Sequence, residues 1–132
     1  MQSLGDKSFS HYHELNFTNK LFFELLGEDI KLLSYDISEG GMGYFILKYQ
    51  YVPRNYTIVF EHDRLYFSLF LYNENGAFTA VELISDEKIN TELYDYSISA
   101  AVNVMCTALK NTVPVFYRGR TKKGRLIRDE ED

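Results

Sequence analysis

Tryptophan is absent from this 132-residue chain, cysteine occurs once, proline twice and histidine three times. A lone Cys106 cannot close an intramolecular disulfide, which excludes the cystine-stapled scaffolds of small secreted proteins and fits a reducing, cytoplasmic setting. Residues Met1 to Ser10 include Gly5, Asp6 and Lys7 and lack the apolar stretch of a signal peptide. Nor does any run approach the roughly 18 apolar residues of a membrane span, since even Leu65 to Tyr72 is broken by Ser68. Only Pro53 and Pro114 punctuate the chain, and there is no repeat, low-complexity tract or Pro/Gly-rich linker. Residues 1–132 therefore read as one domain, with 118–132 as a charged C-terminal hairpin or tail.

Aromatic side chains are plentiful. Eleven Tyr and ten Phe supply core material and β-favouring residues that exclude intrinsic disorder. The net charge of −5 is unevenly spread: Arg118, Arg120, Lys122, Lys123, Arg125 and Arg128 sit in one short segment, followed by Asp129, Glu130, Glu131 and Asp132. The rest of the chain is strongly acidic, and such a field repels polyanions and steers a basic partner inward.

Spacing predicts a first helix over Asn16 to Leu26, where Phe17, Leu21 and Leu25 recur every four residues, with Asn16 as its cap and Gly27 as its stop. Period-two alternation then predicts strands over Ile30 to Ile37, Tyr44 to Val52, Tyr56 to Glu61, Leu65 to Tyr72 and Ala77 to Ile84. The turns between them are Gly40 to Gly43, Pro53 to Asn55, His62 to Arg64 and Asn73 to Gly76. Connections this short join antiparallel neighbours. Tyr94, Ile98, Val102, Met105 and Leu109 mark the buried stripe of a second, longer helix, and Val113 to Tyr117 a last edge strand. The expected architecture is α+β, an antiparallel meander of about five or six strands with an N-terminal and a longer C-terminal helix packed on the sheet.

Chemical motifs are sparse. His11 and His13 form a His-x-His pair, but with His62 as the only other imidazole and no neighbouring thiol the three or four convergent ligands of a zinc site are missing. Cys106 lies inside the second helix without a histidine to activate it. His62-Asp63 reads as hairpin chemistry, and Ser97 and Ser99 lack a nucleophile-elbow pattern. Gly40-Gly41-Met42-Gly43 leads into a strand rather than a helix and has no Lys-Ser/Thr, so it reads as a turn and not a phosphate loop. No catalytic residue, metal ligand or cofactor site is expected, and the chain reads as a non-enzyme.

What remains is a surface. Tyr49, Tyr51 and Tyr66 offer polar-tipped rings on the sheet, and Glu61, Asp63, Glu74 and Glu82 offer carboxylates on strand ends and turns. Together they are the expected contact residues for a basic protein partner. The segment 118–128 is the one feature suited to nucleic acid, against which the acidic body and tail stand.

In size, acidity and α+β architecture the chain resembles bacterial immunity proteins, which neutralise a cognate toxin, often a basic nuclease, by covering its active site. The resemblance spans the whole chain and has no motif behind it, so it transfers no functional residue. It implies a bacterial source and a toxin domain as the partner; separately, the acidic charge and the lack of an apolar span lead us to expect no membrane partner, with the oligomeric state open between monomer and homodimer. The acidic chaperones of bacterial secretion systems look similar in size and in their helix, sheet, helix order.

Overall fold

The computed structural model describes residues 3–40 and 43–129. Helix α1 (Tyr12–Leu26) is followed by strands β1 (Ile30–Ser38), β2 (Tyr44–Tyr51), β3 (Tyr56–Asp63), β4 (Tyr66–Tyr72) and β5 (Phe78–Ala80). A single helical turn, α2 (Val81–Ile84), precedes the long helix α3 (Asp95–Asn111) and the strands β6 (Tyr117–Arg120) and β7 (Leu126–Arg128). The strands form one sheet in the order β1 to β7, each antiparallel to its chain neighbour. The α+β meander is as expected. The count is seven rather than five or six because the 118–128 segment adds a hairpin of its own.

Alternation along the strands decides the core. Phe45, Leu47, Tyr49 and Tyr51 of β2, Tyr56, Ile58, Phe60 and His62 of β3, and Phe67, Leu69 and Leu71 of β4 are all buried. Helices α1 and α3 cover this inner face and pack on each other. Leu15, Phe22 and Leu26 enter from α1, and Ile98, Ala101, Val102, Met105 and Leu109 from α3. Phe45, Phe60 and Phe67 stack across three strands, with ring centroids 5.8 and 4.9 Å apart.

Five local expectations differ from the structure. Helix α1 begins at Tyr12, and Asn16 does not cap it. From within the helix, Asn16 Nδ2 donates to the Leu4 carbonyl (2.8 Å) and Oδ1 accepts from the Leu4 N–H (2.7 Å), pinning the N-terminal segment. The Ala77 to Ile84 run becomes a three-residue strand and a helical turn, because a short apolar run does not reveal its own period. Tyr94 is 53% exposed, since it is the extended residue just before α3: its carbonyl accepts the first helical hydrogen bond from the Ile98 N–H (2.9 Å), but its own backbone is not helical. Val113 to Phe116 precede the strand, pairing starting only at Tyr117. His62 is not in a turn either. It lies in β3, and Arg64-Leu65 make the hairpin, with Arg64 at φ 63°. Gly41 and Met42 of the glycine-rich turn lie outside the described residues.

Candidate functional site

No helix packs over the other face of the sheet among the described residues. Strand register arranges its side chains in four cross-strand rows. One runs Ser38, Tyr44, Asp63, Tyr66, Glu92 and the next Asp36, Ile46, Glu61, Ser68. A third runs Ser34, Lys48, Val59, Phe70, Ala80. The last is Lys31, Gln50, Thr57, Tyr72, Phe78, Tyr117, Arg128. A solvated sheet face is ordinarily polar. Here Tyr44, Ile46, Val59, Phe70, Tyr72, Phe78 and Tyr117 stay half-buried on it, an apolar content typical of surfaces that meet a partner.

The first row alternates tyrosines with carboxylates at one end of the sheet. It continues beyond β4 because residues 91–93 add themselves to the strand edge, Phe67 N–H donating to the Thr91 carbonyl (2.9 Å) and Leu93 N–H to the Leu65 carbonyl (2.8 Å). This stitching brings Tyr94 and Tyr96, stacked at 5.6 Å with planes 8° apart, to the same end as Leu65 and Tyr66. All four are more than half exposed, Tyr96 by 66%. Glu61, Asp63 and Glu92 form no salt bridge among the described residues, so their charge is available to an incoming cation. Asp95 by contrast is engaged, accepting from His13 Nε2 at 2.8 Å, a bond that raises the His13 pKa.

Of the residues expected to meet a partner, Glu61, Asp63 and Tyr66 lie on this face of the sheet. Glu74 is in the β4–β5 turn, where it accepts from Asn55 Nδ2 (2.9 Å) and borders a shallow depression of about 500 Å³ beside Ile46, Val59, Glu61 and Tyr72. Glu82 does not join them, since it sits on α2, which packs on α3 in the helical layer. Tyr49 and Tyr51 are corrected outright. They share parity with Phe45 and Leu47 and point into the core, Tyr49 OH donating to Asn19 Oδ1 (2.7 Å) and Tyr51 OH to the Leu109 carbonyl (3.3 Å). Burial pushes the Tyr49 phenol well above its usual pKa. Tyr44, Glu92, Tyr94 and Tyr96 were missed. The parity of β2 could have found Tyr44, whereas no local pattern shows that residues 91–93 rejoin the sheet.

The remaining chemical groups are structural. Cys106 is buried, and desolvation pushes its thiol up to about 12, which leaves it protonated and inert. His62 is fully buried against Phe45 and against the His11 ring, whose centroid is 4.3 Å away. Its Nε2 donates to the Arg64 carbonyl (2.6 Å), so Nδ1 is the unprotonated nitrogen, and burial lowers the pKa. No group of three or more His, Cys, Asp or Glu among the described residues has metal-binding geometry. No helix there is long and apolar enough to cross a membrane.

No family model matches the chain, and neither a curated protein nor a solved structure matches it.

Proposed function

We propose that the chain is a protein-binding module, and that a basic protein docks on the open sheet face at the end built by Tyr44, Asp63, Tyr66, Glu92, Tyr94 and Tyr96. The observation that carries this reading is the tyrosine–carboxylate alternation of the first row beside four large, exposed side chains. Tyrosine rings flanked by carboxylates suit lysine and arginine: the ring face attracts the cation and the carboxylate pairs with it. Exposed aromatics act as anchors that slow release, and the acidic field quickens encounter. The finer reading is of the immunity type, the partner being a toxin domain whose phosphate-binding cations are covered.

Partners captured from the source cells are the material for the test. Association should slow as salt is raised, and Glu61→Lys combined with Asp63→Lys should slow it further without lowering the thermal midpoint. Tyr66→Ala should speed dissociation. An association rate indifferent to both salt and charge reversal would refute the proposal. A captured toxin that keeps full activity in the complex would refute the immunity form alone. Recovery of a homodimer clasping an unfolded segment would favour the secretion-chaperone form.

A further inference from the structure

The basic segment plays no part in that reading, and its structure gives it one of its own. Strands β6 and β7 make an ordered two-stranded ribbon at the far edge of the sheet from β1. Its turn is closed by Thr121 N–H to the Arg125 carbonyl (2.7 Å), Gly124 N–H to the Thr121 carbonyl (2.9 Å) and Arg125 N–H to Thr121 Oγ1 (3.1 Å). The Arg120 guanidinium donates to the Gly124 carbonyl (2.9 Å) across the same turn. Asp129 anchors the base, accepting from Asn73 Nδ2 (2.9 Å) and lying 4.0 Å from Arg118.

Between Tyr117 and Arg128 there is no carboxylate at all. Arg120, Lys122, Lys123, Arg125 and Arg128 are exposed and form no salt bridge among the described residues. Cations therefore stand on both strands and on the tip. We infer that this ribbon binds the phosphate backbone of double-stranded DNA. The major groove, about 12 Å wide, admits a two-stranded ribbon. Cations on both of its strands then face phosphates on both groove walls. An anionic membrane is a poorer fit, because the tip Thr121-Lys122-Lys123-Gly124 carries no apolar side chain to insert. Neither the acidic body nor the carboxylates that follow Arg128 at the ribbon's base forbid binding by the tip cations Lys122, Lys123 and Arg125. A four-residue strand holds the tip roughly 13 Å from its base, beyond the ~10 Å screening length at 0.1 M salt.

The test uses the full chain and a fluorescently labelled 20-base-pair duplex, read by anisotropy. Five cations each neutralising a phosphate give a slope of log affinity against log salt near −4.5, and three of them near −3. Affinity should then fall roughly 60- to 500-fold between 50 and 200 mM salt. Lys122→Glu with Lys123→Glu and Arg125→Glu should abolish binding while leaving the thermal midpoint in place, and Lys122→Gln with Lys123→Gln should weaken it at least several-fold. Tyr66→Ala should leave it unchanged, which separates this surface from the protein-docking end. The inference is overturned if the duplex fails to bind at 50 mM salt or if the glutamate variant binds as well as the parent. It is equally overturned if a polyglutamate peptide or phosphatidylserine vesicles bind as tightly as the duplex.

Discussion

Replacing Tyr49 with Phe isolates one buried hydroxyl. The ring stays in its place between Phe22 at 4.8 Å and Phe23 at 6.1 Å, while the 2.7 Å hydrogen bond to Asn19 is lost. A buried intramolecular hydrogen bond of this kind contributes about 0.5–1.5 kcal/mol net. Unfolding entropy of roughly 2.1 cal/mol/K per residue means that 1 kcal/mol moves the midpoint of a 132-residue domain by about 4 °C. The expected fall is thus about 2–6 °C, measured by calorimetry or by far-ultraviolet circular dichroism at neutral pH. Association with a captured partner should be untouched. A double-mutant cycle with Asn19→Ala should return a coupling of at least about 0.5 kcal/mol. A midpoint unchanged to within a degree, or a binding defect without a stability defect, would refute the inward placement of Tyr49.

Ile98→Asp should unfold the domain, because it places a carboxylate at a fully buried position of α3. Ile98→Ala should cost about 2–5 kcal/mol by denaturant titration. His62 gives an acid sensitivity of defined sign: its folded pKa lies below the unfolded value, so its contribution is complete above the ordinary histidine range and is lost as pH falls from about 6.5 toward the depressed value. A pH series of unfolding midpoints should show this loss, and His62→Phe should flatten it. His13, with its pKa raised by Asp95, acts in the opposite direction but is largely exposed and contributes little. Gly43→Ala should destabilise, since Gly43 holds φ +79° and an added Cβ would stand 2.9 Å from Ser10 Oγ. An unchanged midpoint would overturn that packing.

The meander was legible because its signals are local. Alternation from Tyr44 to Tyr51 and from Tyr56 onward fixes two strands, and the short turns after them force antiparallel neighbours. Parity also carried more than was drawn from it: Tyr49 and Tyr51 have the phase of Phe45 and Leu47, so the same pattern that marks the strand marks these tyrosines as core. The far end of the site was not legible. Residues 91–93 join the sheet through backbone hydrogen bonds to residues 65 and 67, and backbone pairing leaves little trace in side-chain identity. Asn16 misled for a related reason. A residue that caps helices by bonding backbone groups can bond a distant segment just as well, and Leu4 is the segment it holds.

The sequential strand order bears on how the chain comes into being on the ribosome. Each hairpin can zip as soon as its second strand is made, but the apolar inner face it creates needs both ends of the chain for cover. The His13–Asp95 contact between α1 and the start of α3 spans 82 positions. Until α3 has left the exit tunnel, Phe60, Leu69 and Leu71 have only α1 to shield them. Synthesis at roughly 5–20 residues per second keeps that surface open for seconds, long beside the microseconds in which a hairpin forms. The nascent sheet is therefore the form of this protein most in need of a chaperone. Slowing translation between β5 and α3 should lower its soluble yield more than slowing it anywhere before β2.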